Sequence, residues 1–436
     1  MLAFYGDDFT GSTDALEFLA RAGAKTVLFI EPPTAEQLQR YPGINAFGVA
    51  GSTRALPPAQ MEQILQPAFE QLQKTGARHV HYKVCSTFDS SPHVGSIGRA
   101  IEVGATVFKQ AFVPVLVAAP VLGRYSLFGN LFARMGIGSN GSIHRLDRHP
   151  SMSRHPVTPA DESDLRLHLQ KQTHKKMGLI DILQLAAPTA TIQSNIDYLV
   201  GQACEVIFFD ALYQEQLYGI GEVIDERANA STLFSVGSSG IEMALGQYWN
   251  KNNILQPVQQ WAHPGKAAPL LVLCGSCSPV TANQILYAKS IGFKELLINT
   301  AAICNKEEQA LQNEIDMAVS WLREGHNLIV HTGGATQRQT ASLPADVLGT
   351  ALGRIAKKVI AQTGIQRLVI AGGDTSSYAG RALGIEAVEV ITPLSPGAPL
   401  CKATAPGSPA DGLEVNFKGG QVGGDNYFEV LLNGIL

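Results

Sequence analysis

Two adjacent aspartates, Asp7 and Asp8, end an apolar run and are followed at once by Thr10, Gly11, Ser12, Thr13 and Asp14. Carboxylates crowded in this way repel a bare phosphate. They suit sugar hydroxyls, a proton to be abstracted, or a metal ion. A second polar group, Cys85-Ser86-Thr87-Phe88-Asp89-Ser90-Ser91, follows His81-Tyr82-Lys83-Val84. Lys83 lies inside an apolar stretch, where an ammonium costs desolvation free energy unless it meets an anion from the protein or from a substrate. Arg54, after Ala50-Gly51-Ser52-Thr53, is a further candidate because a guanidinium grips a carboxylate with two parallel hydrogen bonds. The plainer alternative is that Asp8 or Thr10 caps a helix, Asp7 is solvated, Lys83 pairs with Asp8 or Asp89, and Arg54 lies on the surface.

The later half of the chain carries a different chemistry. Gly275-Ser276-Cys277-Ser278, Thr332-Gly333-Gly334-Ala335-Thr336 and Gly372-Gly373-Asp374-Thr375-Ser376-Ser377 each follow an apolar run and are small, hydroxyl-bearing and almost uncharged. Glycines at strand ends expose backbone N–H groups, and the helix that follows adds a favourable dipole; together these hold phosphate oxygens. Lys418-Gly419-Gly420-Gln421-Val422-Gly423-Gly424 is another such turn, whose lysine either meets a phosphate or is solvated. No P-loop is present, since Gly265-Lys266 is followed by Ala267. Gly136, Gly138 and Gly141 match a dinucleotide-binding spacing but lack the strand before and the helix after that the motif requires. Cys274 and Cys277 form a CxxC without a second pair or a nearby histidine, weak grounds for zinc or redox chemistry.

The elements that must position these groups are legible as alternating strands and helices. Leu2 to Tyr5 read as a buried strand, and Ala15, Leu16, Leu19 and Ala22 recur at helical spacing beyond the acidic turn. Strand-like runs at 25–30, 45–50, 78–84, 115–119 and 205–210, and again at 269–274, 295–298, 327–331, 367–371 and 386–391, give the pattern of parallel sheets covered by helices. In such sheets ligands bind at the carboxyl ends of the strands. Residues 120–160 break the alternation as a long irregular insertion. The 436 residues exceed what one core usually organises, and the polar stretch 250–266, with Pro257, Pro264 and Gly265, is the expected linker. The expectation is two Rossmann-like α/β domains with mainly parallel sheets, residues 1–250 and 267–436, joined by 251–266.

Composition narrows the function classes. A net charge of −4 with scattered Lys and Arg gives no basic face for nucleic acid. The sequence has no apolar run long enough for a membrane span and no signal-peptide pattern, so a cytoplasmic protein is expected. Six cysteines in a chain of this length do not make a disulfide framework.

GDDFTGSTDAL, YKVCSTFDSS, CGSCSPVT, GGDTSS, PLSPGAPLC and KGGQVGG stand in the order seen in the four-carbon acid sugar kinase family, and the chain resembles that family over nearly its whole length. The resemblance implies an amino-terminal acid-sugar domain and a carboxy-terminal nucleotide domain with the reaction in a cleft between them. It also implies ATP with Mg2+ as phosphoryl donor, and a tetronate such as threonate, erythronate or 3-oxotetronate as acceptor. Carried over motif by motif, Asp7, Asp8, Arg54, Lys83, Asp89 and Ser90 fall to the sugar acid. Ser276, Ser278, Gly372, Gly373, Asp374, Thr375, Gly420 and Gly423 fall to ATP. Asp8 is the expected general base, ahead of Asp7 and Asp89. Two departures stand out: the late turn reads KGGQVG where the family has K-S-G-N-F-G, and Pro92-His93-Val94 replaces the usual residues after the second acidic turn. The division of charge points the same way without the resemblance, because phosphoryl transfer needs positioning and charge neutralisation more than covalent chemistry. The alternative is a two-lobed regulatory protein that binds acid and nucleotide without turnover. A homodimer is the expected assembly.

Overall fold

The computed structural model describes all residues except 136–140, 156, 276–277, 306–307, 334–342, 421 and 436. The chain forms two compact units: Met1–Asp7, Phe18–Thr26 and Pro32–Val258 make the first, and Asp8–Glu17, Val27–Glu31 and Gln259–Leu436 the second. The expected segments follow chain order, whereas this grouping moves two short stretches of the amino-terminal region into the second unit.

The first unit is a parallel sheet of apolar strands. β1 (Leu2–Gly6) is flanked by β3 (Ala46–Ala50) and β4 (His79–Lys83), and β11 (Leu233–Gly237), β5 (Val113–Leu116), β10 (Val206–Phe209) and β9 (Met177–Ile180) follow beyond β4. β1, β3, β4, β5, β10 and β11 are buried along their whole lengths, as strands covered on both faces must be. The helices α3 (Pro58–Lys74), α4 (Ile97–Phe108), α7 (Gln216–Arg227) and α8 (Gly240–Lys251) pack against one another in pairs, α3 with α4 and α7 with α8. Ser96 starts α4 by accepting the Arg99 N–H at 3.1 Å, and Pro58 starts α3 at a position where no N–H is needed.

The expected irregular insertion has structure of its own. β6 (Arg124–Leu127), β7 (Asn130–Arg134) and β8 (Ile143–Arg145) form an antiparallel sheet. The β6–β7 turn is Phe128-Gly129, both at positive φ (50° and 80°), the geometry of a two-residue hairpin. Asp210 fixes this turn by accepting from Ser126 Oγ (2.7 Å) and Gly129 N–H (3.0 Å). Of the discounted glycine motif, Gly136 and Gly138 lie outside the described residues.

In the second unit β13 (Lys294–Leu297), β14 (Leu328–His331), β12 (Leu271–Cys274), β15 (Arg367–Ala371) and β18 (Glu414–Lys418) run parallel in that order. β17 (Leu400–Thr404) and β16 (Ala387–Thr392) continue it antiparallel, and Leu28 and Phe29 of β2 (Thr26–Phe29) pair antiparallel with β16. The first turns of α1 (Phe9–Arg21) group with this unit for a physical reason. Phe9 packs on Phe417 with ring centroids 4.5 Å apart, and Glu17 accepts the Gly397 N–H at 2.8 Å. α9 (Pro279–Ser290), α12 (Ala345–Thr363) and α13 (Gly373–Leu383) complete the parts that bear on the site. No helix among the described residues is long and apolar enough to cross a membrane.

Candidate active site

Strand register sets the first group of residues. Ala50 and Lys83 both lie opposite Gly6, and Lys83 also lies opposite Gly237, so the turns after β3, β1, β4 and β11 open on one edge of the sheet. Asp7 follows β1 directly. Its N–H donates to the Lys83 carbonyl at 2.8 Å, and its own carbonyl accepts the Arg54 N–H at 3.0 Å. The Asp7 side chain is buried and takes both arms of Arg54, Nε to Oδ2 at 3.0 Å and Nη2 to Oδ1 at 2.7 Å. The solvated Asp7 and surface Arg54 of the plainer alternative are therefore overturned; the two are a bidentate pair, with Arg54 still part-exposed at 28%. Lys83 is buried at 2% exposure, and its Nζ donates to the Val84 carbonyl at 3.0 Å.

The turn after β4 bears Asp89 and Ser90. Phe88 holds φ at 56°, a left-handed conformation costly for a bulky residue, which the packing of its ring near Phe208 and His168 sustains. Asp89 Oδ1 is buried and has no hydrogen-bond partner among the described residues. Ser90 Oγ lies 2.9 Å from His168 Nε2 and accepts from Gln172 Nε2 at 2.9 Å. Thr87, Asp89, Ser90, Glu162 and His168 help line a small pocket. His168 and Gln172 were missed from the sequence, because nothing in their spacing ties them to Ser90 some eighty residues earlier.

The second unit contains Asp8 and the glycine turns. Asp8 does cap α1: Oδ1 accepts the Gly11 N–H at 2.8 Å, and Oδ2 accepts from Thr10 Oγ1 at 2.9 Å. Its carboxylate also borders the start of α13. A Cβ added to Gly373 would stand 3.8 Å from Asp8 Oδ2 and 3.7 Å from Thr10 Oγ1, and one on Gly419 would stand 3.9 Å from Thr10 Oγ1. The acidic turn, the β15–α13 turn and the end of β18 therefore meet.

Register again aligns the turns, with Cys274 opposite Ala371 and Ala371 opposite Lys418. Gly372 adopts φ 123°, open only to glycine, and its N–H donates to the Lys418 carbonyl at 2.8 Å. Asp374 is exposed in the first turn of α13 and Thr375 is buried behind it. Ser278 caps α9 by accepting the Thr281 N–H at 3.1 Å and donates to the Gly420 carbonyl. Gln284 Nε2 donates to the carbonyls of Val422 and Gly424, both at 3.0 Å, and to that of Gly423 at 3.3 Å, so the late glycine turn is tied down by α9. Lys418 is not solvated: it is fully buried, donates to Thr281 Oγ1 at 3.1 Å and Gly419 O at 2.9 Å, and burial pushes its ammonium down to about 8. Thr281, Gln284 and Lys418 are thus the side chains that shape this turn. Ser276, Cys277, Gly334 to Thr336 and Gln421 lie outside the described residues. Cys274 is a free, buried thiol pushed up to about 12 by burial, a packing residue rather than a reactive one.

One α/β unit that presents paired charges and another that presents neutral glycine turns define a phosphotransferase for a small polar acceptor. Two family models match in chain order, a sugar-binding N-terminal domain over residues 2–245 and a nucleotide-binding C-terminal domain over 271–428. The 3-oxo-isoapionate kinase of Paraburkholderia graminis is 39% identical, the match covering 100% of this chain and 95% of the relative. The 3-oxo-tetronate kinase of Pseudomonas savastanoi pv. phaseolicola is 28% identical over 98% and 96% of the two chains. The fold is shared with a Salmonella typhimurium LT2 protein designated a tRNA synthase, at a TM-score of 0.78 and 26% identity over 98% and 97% of the chains. It is shared also with a Haemophilus influenzae protein, at a TM-score of 0.72 and 22% identity over 98% of each. The chain belongs to the four-carbon acid sugar kinase family, and it is a kinase.

Proposed function

We propose that the chain transfers the γ-phosphoryl group of ATP to a hydroxyl of a four-carbon-type sugar acid, with 3-oxo acids of the tetronate and isoapionate kind as the first substrates to test. The observation that carries this reading is the Asp7-Asp8 turn: Asp7 is locked to Arg54 within the sugar-binding match, while Asp8, the next residue, borders the α13 amino terminus. Names of relatives up to 39% identical support the substrate class.

Arg54 and Lys83 hold the acid's carboxylate, and Asp7 orients Arg54 for that contact. Asp89 and Ser90 lie beside the same strand ends and face the acceptor's hydroxyls. The backbone N–H groups of Gly373 and Asp374 hold phosphate oxygens at the start of α13, Gly372 makes the tight turn that presents them, and Ser278, Gly420 and Gly423 shape the neighbouring wall. Asp8 accepts the proton of the attacking hydroxyl. The hydroxyl oxygen forms the new bond to phosphorus while the bond from phosphorus to the β–γ bridging oxygen breaks, and ADP leaves with that electron pair. Among the described residues no three His, Cys, Asp or Glu side chains converge on a metal ion. That fits Mg2+, which binds through one or two carboxylates plus substrate phosphates and neutralises charge there; Asp374, exposed at the phosphate turn, is the carboxylate suited to it. A cytoplasmic location fits the supply of ATP, and a homodimer is the assembly to test by light scattering.

The test is ADP release on mixing the protein with Mg-ATP and a panel of threonate, erythronate, 3-oxo-tetronate and 3-oxo-isoapionate. The product is read by phosphorus NMR. Stoichiometric ADP and one phosphate ester are expected from at least one acid; ATP consumption without an ester would refute the assignment.

A further inference from the structure

His331 ends β14 in register with Cys274, as Cys274 is with Ala371, so the Thr332-Gly333 turn opens on the same edge as the turns after β12 and β15. The imidazole is buried. The Gly333 N–H donates to Nδ1 at 3.2 Å, and Nε2 lies 2.9 Å from Glu295 Oε1. A backbone N–H can only donate, so Nδ1 carries the lone pair and the ring proton sits on Nε2, which donates it to Glu295. Lys289, in the last turn of α9, meets the other carboxylate oxygen. Burial alone would raise the Glu295 pKa, but Lys289 and His331 outweigh it and hold the carboxyl below its ordinary value, so it stays an acceptor. A chain of side chains thus runs from α9 through Glu295 and His331 to Gly333, which adopts φ 93°, a conformation suited to glycine.

The arrangement of helices says why this turn is worth holding. Asn416 and Phe417, neighbours in β18, point to opposite faces of the sheet. Asn416 Oδ1 accepts the Tyr427 hydroxyl of the final helix, Tyr427–Asn433, at 2.9 Å, whereas a Cβ on Gly380 of α13 would stand 3.6 Å from the Phe417 ring. α9 belongs to the first face, since Ile285 and Ala288 join Tyr427 and Phe428 in one apolar cluster. α12 packs along α13 on the other. The helix after β12 therefore covers one face, and the helices after β14 and β15 cover the opposite one. Neighbouring strands whose connections leave on opposite faces part at their carboxyl ends, and ligands of such sheets bind in the crevice so formed. β12 has such a crevice on each side: α13 starts beside one, and Thr332-Gly333 flanks the other.

We propose that His331 is a positioning residue for the nucleotide, acting through the Thr332-Gly333 turn, with Glu295 and Lys289 fixing its ring. A turn already held in place needs no ordering when the ligand arrives, and that preorganisation appears as affinity. This inference rests on the nucleotide reading of the second unit given above.

The experiment measures ADP affinity by calorimetry, KM for ATP and for the acid, and stability in denaturant, in the parent and in His331→Phe, His331→Gln and His331→Asn. Phe removes the acceptor and should weaken ADP binding about tenfold or more, the scale of one lost buried hydrogen bond, and raise KM for ATP alike. KM for the acid should stay within about twofold, because the acid is held by the other unit. Asn places its oxygen where Nδ1 stands and can accept an N–H two residues on, so it should bring ADP affinity back to within about threefold of the parent. Gln carries its amide at the place of Nε2, where it meets Glu295 instead, and should behave like Phe. A merely structural role would lower stability and leave the ADP affinity of the folded protein unchanged. Unchanged ADP affinity in His331→Phe, or Asn no better than Gln, overturns the inference while leaving the kinase assignment intact. Should His331→Phe fail to fold, the comparison of Asn with Gln decides by itself. A parent protein that binds no ADP refutes the nucleotide reading, and this inference with it.

Discussion

The two units solve the same geometric problem with opposite chemistry. Each aligns the carboxyl ends of parallel strands, Gly6 with Lys83 in one and Ala371 with Lys418 in the other. The first fills that edge with charged side chains, Asp7 on Arg54 and Lys83 alongside, while the second keeps it nearly neutral and turns on Gly372 to offer backbone at Gly373 and, in the late turn, at Gly420. A small hydroxy acid has few groups to hold, so specific side chains must grip each one. A polyphosphate has many oxygens, and N–H groups with a helix dipole serve it without choosing among them. Lys418 matches Lys83 in register position and in burial, and it is bonded to Thr281 beneath the glycine turn.

The comparison implies that the first unit is damaged by removing atoms and the second by adding them. The largest effect is expected at Asp8, where the two meet in sequence. Asp8→Asn keeps an oxygen for the Gly11 N–H and so keeps the helix cap, while removing basicity. Steady-state assays should show kcat lowered about a hundredfold or more, with ADP affinity by calorimetry unchanged. Near-parental turnover in Asp8→Asn beside an inactive Asp89→Asn would move the base to the second acidic turn.

A charge network outside both edges provides the control. Asp225 accepts from His79 Nε2 at 3.0 Å and Trp249 Nε1 at 2.9 Å and pairs with Arg78 at 3.1 Å. Burial alone would raise its pKa, but these partners outweigh it and hold the carboxyl at about 2. A folded-state pKa below the unfolded one contributes stability that is present above the unfolded value and is lost as pH falls through the folded one. For Asp225 that window runs from about 4 down to about 2. Asp225→Asn should therefore cost roughly 2 kcal/mol at pH 7 in denaturant unfolding and progressively less in that acid window, with KM for both substrates unmoved. A change in either KM would mean that this network belongs to the site. The smallest effect is expected from Ser278→Ala, which removes the α9 cap and its hold on the Gly420 carbonyl. Stability should fall by about 1 kcal/mol with a modest loss of ADP affinity.

Periodicity and turn chemistry carried the parallel strands and the acidic and glycine turns, because those signals are local. The strands β17 and β18 were not legible: LCKAT and EVNFK are short, and they follow the Pro- and Gly-rich runs before Leu400 and Glu414. Nor could a linear reading assign residues 8–17 to the second unit, since that follows from Phe9 meeting Phe417 across some four hundred residues. This bears on how the nucleotide half is dissected. A fragment beginning near residue 265 would lack both Phe9 and the β2 strand that pairs with β16. In the candidate site, Arg54 was legible as a carboxylate binder, but its resident partner Asp7 was not. His168 was invisible because only the fold brings the helix Leu165–Gln170 back to Ser90.

The division of labour is tested most directly by measuring KM for the acid and for ATP in two folded variants, Arg54→Ala and Gly373→Leu. A Cβ at Gly373 meets nothing closer than 3.7 Å, so the fold tolerates it, but the longer side chain occupies the space before the α13 amino terminus. The account predicts that Arg54→Ala raises KM for the acid by about tenfold or more while KM for ATP stays within about twofold, and that Gly373→Leu does the reverse. Equal changes in both constants from either variant would contradict it.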